Sequence, residues 1–287
     1  MTRPWLWALV LLAGCGDDAA DGGPGPIGDT GYAGQQVASV VSAVRFVGAA
    51  SGVTEGFDLD DHVSTGNDDA GCGKEDFVDA AGVEGIDNAF SSLVPVLQAT
   101  EASALEDLLA QSIANGELLL LVELGNVDID PSLPVEDWDD DCVDLTLWQG
   151  EGVPLLAADG SVLDQQTFAT SNPVTVSCVP MVGGRAEAQG FSVVLPAQVL
   201  DVELVLHLSN AALRIEHLPD GTAVGLLGGG IPRSDFEAIL SEPDIQDLAE
   251  LLLPIVESLL DLPDESGECE AMSITLGFDA LPAFVLR

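Results

Sequence analysis

Apolar and polar positions divide the chain into three regimes. A compact apolar run, Pro4 to Ala13, opens it, and residues 16–36 then hold almost no large apolar side chain. From Val37 onward, apolar residues recur in short periodic stretches. Val37 to Gly48 (VASVVSAVRFVG) reads as a strand, and Ser51 to Gly85 as a long Gly- and Asp-rich loop. Asp87-Asn88 offers an N-cap for a helix over 89–99, with Phe90, Leu93, Val94 and Leu97 on one face. Ser103 and Glu106 have capping-box spacing for a second helix through Leu105, Leu108, Leu109 and Ile113, stopped by Gly116.

Strand character dominates after this. Leu118–Leu124, Val143–Trp148, Pro173–Cys178 and Phe191–Leu195 are short runs separated by Gly, Pro and Asp. From Leu200 to Leu208 every second residue is Leu or Val, the pattern of a half-buried strand. Pro219-Asp220-Gly221 then marks a hairpin turn. Gly225 to Gly230 (GLLGGG) reads as a bulge or turn into a helix. A long apolar helix follows over 244–262, with Asp247, Glu250, Glu257 and Asp261 on a narrow polar stripe and Pro254 as a kink. Ala271 to Phe278 is a final strand. The expected fold class is α+β, mainly antiparallel β as a sandwich or open barrel, with an N-terminal helical hairpin and a long apolar C-terminal helix. The expected organisation is a signal segment over 1–14, a tether over 15–36 and one domain over 37–287.

Charge narrows the partners. Seven Lys or Arg face 49 Asp or Glu, a formal net charge of −42, yet mean hydropathy is +0.33, which argues for a folded core. Arg45, Lys74, Arg185, Arg214 and Arg233 are isolated and build no basic patch, so nucleic acid and anionic head groups are poor partners. Cations are better ones. Cysteine usage points to an oxidising compartment: beyond Cys15 there are four, with no CxxC pair to suggest zinc. Three pairings are open. Antiparallel strands favour Cys142–Cys178, which leaves Cys72–Cys269 to tie the acidic loop to the last strand.

Leu12-Ala13-Gly14-Cys15, at the end of the apolar run, resembles the lipobox of bacterial lipoprotein signal peptides. The resemblance implies lipidation of Cys15, a membrane anchor and an envelope address. Gly16, rather than Asp, after the cysteine favours the outer membrane by the same analogy. The segment behind it reads as a flexible tether. Its glycines at 22, 25, 28, 31 and 34 have a collagen-like cadence that allows a weak trimerising stalk on an otherwise monomeric protein.

The richest candidate for chemistry is Phe57 to Asn88, ten carboxylates with Lys74 as the only Lys or Arg. Calcium takes about six to eight oxygen ligands, and Asp58, Asp60, Asp76 and Asp87 are the candidate set. Val63 and Asp69 stand where an EF-hand needs Gly and Glu, so any such site is irregular. Lipobox, glycine-rich tether and this DLD-to-GIDN loop together resemble Asp-rich predicted bacterial lipoproteins, which implies a shared domain and envelope location and carries over no activity. A second acidic cluster, Glu136, Asp137, Asp139, Asp140 and Asp141, surrounds Trp138 and reads as a solvated loop tip.

GxSxG, HExxH and Walker motifs are absent from the sequence. The expectation is a lipid-anchored, non-catalytic binding or structural module with an unidentified envelope partner, stiffened by calcium. The alternative is a carrier of a lipid or other apolar ligand in a cavity under helix 244–262. A hydrolase using paired carboxylates ranks behind both.

Overall fold

A computed structural model of the chain describes residues 34–67, 71–95, 105–199, 202–240, 246–264 and 266–287. The described strands are β1 (Gln35–Phe46), β2 (Phe77–Val78), β3 (Glu84–Ile86), β4 (Leu120–Val127), β5 (Asp140–Glu151), β6 (Gln166–Val182), β7 (Arg185–Val199), β8 (Val202–His217), β9 (Ala223–Pro232), β10 (Leu262–Pro263) and β11 (Cys269–Leu286). The α-helices named among the described residues are α1 (Leu105–Asn115), α2 (Arg233–Leu240) and α3 (Gln246–Leu259).

The eight long strands form a closed antiparallel barrel in the order β1-β4-β5-β6-β7-β8-β9-β11. Closure comes from β1 against β11, in register from Ala38↔Ala283 to Phe46↔Leu276. β9 pairs with β11 only as far as Ala280. Beyond it that edge takes the start of β6 in parallel, from Ala283↔Gln166 to Leu286↔Ala169. Strand alternation sends apolar side chains inward, among them Val41, Val122, Leu147, Leu195, Leu213, Leu227 and Phe278. Glu187, Glu216, Thr175 and Ser177 point outward, with Val194 and Val205 exposed on the same strands. From α1, Leu109 reaches the barrel interior and Ile113 is fully buried. The interior leaves an apolar cavity of about 50 Å³.

A smaller apolar cluster lies on the outer face of β8 and β9. Phe57 and Leu59 of the acidic loop pack there with Val47, Ala212, Leu226 and Leu262. This explains the glycine run, which belongs to β9 and is neither a turn nor the entry to a helix. A Cβ on Gly228 would stand 2.6 Å from the Phe57 ring, and one on Gly225 would stand 2.1 Å from Phe278 and 2.3 Å from the Arg214 carbonyl. Glycine lets aromatic rings lie on the strand from both sides.

The expected architecture is corrected in three respects. The sheet is a closed barrel, because the first and last long strands pair. In place of the N-terminal helical hairpin the described residues show a 3-10 turn at Ala89–Ser92, helical backbone at 94–95 and helix α1; residues 96–104 lie outside the described residues. Asn88 makes no side-chain cap bond at that turn, since its amide is committed elsewhere. The long apolar helix over 244–262 is replaced by the 14-residue α3. Asp261 and Leu262 fall outside it, drawn into extended pairing with β11 by the Asp261 N–H to Ala271 O bond of 3.1 Å.

The cysteines pair as Cys142–Cys178, between β5 and β6, and Cys72–Cys269, between the acidic loop and the start of β11. Strand β1 begins at Gln35, so the domain reaches two residues further toward the N-terminus than expected. The signal segment, Cys15 and the rest of the tether lie outside the described residues.

The glycine packing gives a direct check. Gly225→Ala is expected to cost about 3 kcal/mol, the upper end for overpacking, because a rigid backbone carbonyl blocks relaxation. Gly125→Ala, in β4 with only ordinary contacts at 3.7 Å and beyond, should cost less than about 1 kcal/mol. Urea unfolding of the two variants measures the difference.

Candidate functional site

The site forms where the acidic loop crosses the outside of the barrel. β11 is longer than its neighbours, and β1 leaves its edge after the Phe46↔Leu276 pair. The backbone N–H groups of Ser273 and Thr275 therefore need other acceptors, because a buried N–H left unpaired is costly. Asp261 Oδ1 accepts the first at 2.7 Å and Asn88 Oδ1 the second at 3.2 Å. The Asn88 amide also donates to Val47 O at 3.3 Å, Thr54 Oγ1 at 3.1 Å and Glu55 O at 3.2 Å. The Ser273 hydroxyl completes the seam: it accepts from Ala89 N–H at 2.7 Å and bonds the Asp261 carboxylate.

This seam fixes Asp87 by direct chain connection. Its backbone N–H donates to Phe57 O at 2.8 Å, and its Oδ2 accepts Leu59 N–H at 2.6 Å. Asp58 and Asp60 flank Leu59, and both carboxylates accept the His62 N–H, at 3.2 and 2.9 Å. One carboxylate oxygen from each of Asp58, Asp60 and Asp87 then lies within 4.8 Å of the others. Three of the four residues in the expected calcium set are thus brought together. The fourth, Asp76, stands beside them without joining the triad: its Oδ2 accepts Ser64 N–H at 2.5 Å, and its charge acts on Asp87 and Asp261.

Asp261 is the member that the sequence pattern missed. Its place on an apparent polar helix stripe hid it, and only the β10–β11 pairing could have revealed it.

Acidity in the cluster is strongly perturbed. Burial pushes the Asp87 carboxyl up to about 9, with the charges of Asp60, Asp261 and Asp76 adding to it and the Leu59 N–H opposing it. Burial raises Asp261 to about 6 against its bonds from Ser273. Asp60 and Asp76 are raised as well, again chiefly by burial and then by neighbouring carboxylates. Among the described residues no Lys or Arg forms an ion pair with Asp58, Asp60, Asp76, Asp87 or Asp261. The arrangement is oxygen-rich and rigid on the barrel side, and the charge of His62 opposes the rise at Asp60 and Asp76 only as a minor contribution, which suits a hard cation. Asp60 also lines an open groove of about 450 Å³ with Asn210, Leu262, Asp264 and Glu270.

The other acidic cluster serves its own backbone. Asp140 accepts Asp128 N–H at 2.7 Å and Cys142 N–H at 2.9 Å, Asp139 accepts Gly183 N–H at 2.8 Å, and the Trp138 indole donates to Leu133 O at 3.1 Å. Of the histidines, His207 makes a surface pair with Asp235 at 2.9 Å. No protein-family model, curated protein or solved structure matches the chain.

A carboxyl whose folded acidity lies above its unfolded value of 3.8 stabilises the fold below that value and loses the contribution as pH rises toward the folded one. For Asp87 the window runs from about 4 to about 9, and for Asp261 from about 4 to about 6. In EDTA, Asp87→Asn is therefore expected to melt above the wild type at pH 8. The advantage should shrink steadily and vanish near pH 4. A variant that melts below the wild type at every pH would show that the buried carboxyl carries no such strain.

Proposed function

We propose that this chain is a lipid-anchored, non-catalytic module of the bacterial envelope whose acidic loop is clamped to its barrel by calcium. The observation that carries the reading is the convergence of Asp58, Asp60 and Asp87 within 4.8 Å, with Asp261 and Asp76 behind them. Ligands from the loop (Asp58, Asp60, Asp87) would hold the ion against the barrel seam, where Asp261 is bound to Ser273 and adds its charge to the acidic surroundings, so one ion would neutralise groups that otherwise stay protonated. Site chemistry favours calcium over magnesium: an irregular, all-oxygen, partly open set tolerates variable coordination, whereas magnesium demands near-octahedral geometry.

Burial argues for a clamp over a reaction centre. Asp87 is 2% and Asp261 6% exposed, which suits an ion enclosed between loop and barrel better than an acid and base that must reach a glycosidic bond. The carrier reading has less support: the interior space of about 50 Å³ is far below the several hundred that a lipid-sized ligand needs, and the pocket of about 120 Å³ that Leu259 of α3 lines is shared with Lys74, Glu75, Asp76 and Asp261. Support for the envelope address is the lipobox-like Leu12–Cys15 with the two disulfides, which suit an oxidising compartment. The outward-pointing Glu187 and Glu216 fit a domain held off a membrane by its tether.

The test is a thermal melt of the full chain at pH 7.5 in excess calcium, in EDTA, and in magnesium at matched ionic strength. Calcium at a hundred times its dissociation constant adds about 2.7 kcal/mol, a rise of several degrees. Asp58→Asn with Asp60→Asn should abolish that rise. Equal effects of calcium and magnesium, or a rise that survives the double substitution, would refute the clamp.

A further inference from the structure

At the C-terminal end of β8, His217 is buried, 6% exposed, and its Nε2 has no hydrogen-bond partner. Its cover is the β4–β5 connection. The Trp138 ring stands 5.8 Å from the imidazole at a 49° tilt. The connection is latched through the β6–β7 turn: Gly184 N–H donates to Trp138 O at 2.9 Å, Gly183 N–H to Asp139 Oδ1 at 2.8 Å, and His217 N–H to Gly184 O at 3.0 Å. Gly184, at φ +76°, is the seat, since a Cβ there would lie 2.5 Å from Val135 Cγ1. The side chains from Pro131 to Pro134, and those of Glu136 and Asp137, are exposed, so this cover buries little apart from Trp138 and Val135.

We propose that residues 130–139 form a flap gated by protonation of His217, closed over the neutral imidazole and released when the ring takes up a proton. The physical basis is an asymmetry of environments. With the flap closed, an imidazolium would sit dry, with no acceptor for its Nε2 proton. With the flap open, the ring meets water and a strongly acidic rim. Charged groups on the surrounding elements are Asp130, Glu136, Asp137 and Asp139 on the flap, Asp140 and Asp141 at the start of β5, Arg185 on β7, Glu216 on β8 and Asp220 in the β8–β9 turn. Eight of these nine are acidic. Arg185 is paired with Glu187 at 3.3 Å, and none of them makes an ion pair with His217 in the closed state. Opening bares the faces of Trp138 and His217 in acid, a surface that is shut at neutral pH. The gate is independent of the calcium clamp.

Burial holds the His217 imidazole down at about 4, against an ordinary 6.5. A histidine depressed in the closed state favours closure above pH 6.5 and loses that contribution as pH falls toward 4. The opening equilibrium at pH 5 should then exceed that at pH 7.5 by roughly 30-fold. Hydrogen exchange of the full chain, corrected for the intrinsic pH dependence, reads this at the Gly183 and Gly184 amides and across 130–139, with β4 amides as the reference for global unfolding. The expected result is flap exchange that rises in acid while β4 stays protected, and a flat profile in both His217→Asn and His217→Leu. Flat exchange in the wild type overturns the gate. So does an acid rise that persists in either variant, or one shared equally by β4.

Discussion

Everything at the candidate site depends on how the free edge of β11 is satisfied. The barrel needs β11 to be long enough to pair with β9, β1 and β6 in turn, and a strand of 18 residues outruns β1 at its start. The exposed donors of Ser273 and Thr275 are met by two side chains, Asp261 and Asn88, instead of another strand. Because Asn88 is fully buried and bonds three further groups from residues 47 to 55, the acidic loop cannot lift away without stripping the strand edge. A structural necessity of the barrel thereby carries Asp87 into the interior.

Burying that carboxylate brings an electrostatic conflict. A chain with net charge −42 already repels itself, and here several acids are gathered against a low-dielectric wall with no Lys or Arg ion pair among the described residues. Protonation relieves the conflict in acid, and a cation would relieve it at neutral pH. The disulfide Cys72–Cys269 ties the same loop to the same strand and holds the ligands near one another in either state. Covalent tie, amide seam and carboxylate cluster therefore act on one joint between loop and barrel. His217 shows the complementary case at the C-terminal end of β8: burial holds a base neutral there, as burial chiefly raises the acids Asp87 and Asp261.

Much of this was legible in the residues. The alternation through Leu204, Leu206 and Leu208 and the Pro219-Asp220-Gly221 turn give the β8–β9 hairpin, and strand pairing correctly brings Cys142 to Cys178. Asp58 and Asp60 are visible as a pair because they are two apart on one turn. Closure of the barrel was not legible, since β1 and β11 lie at opposite ends of the domain and no local pattern records their pairing. The glycines within β9 carry little strand propensity; their place in the strand is written in Phe57 and Phe278, which need glycine beneath them. The stretch before Leu262 is apolar in either helical or extended reading, and tertiary pairing with β11 decides where the helix stops. Asn88 has the composition of a helix cap and spends its amide on a tertiary seam, a choice made by burial alone.

The most direct test of the account is to locate the ion. Crystals of the full chain grown in calcium, with diffraction data collected at long wavelength, should give an anomalous peak about 2.3–2.6 Å from carboxylate oxygens of Asp58, Asp60 and Asp87, lost on soaking in EDTA. Well-ordered carboxylates at that place with no anomalous signal, or an ion bound only by Asp264 and Glu270 in the open groove, would contradict the calcium clamp.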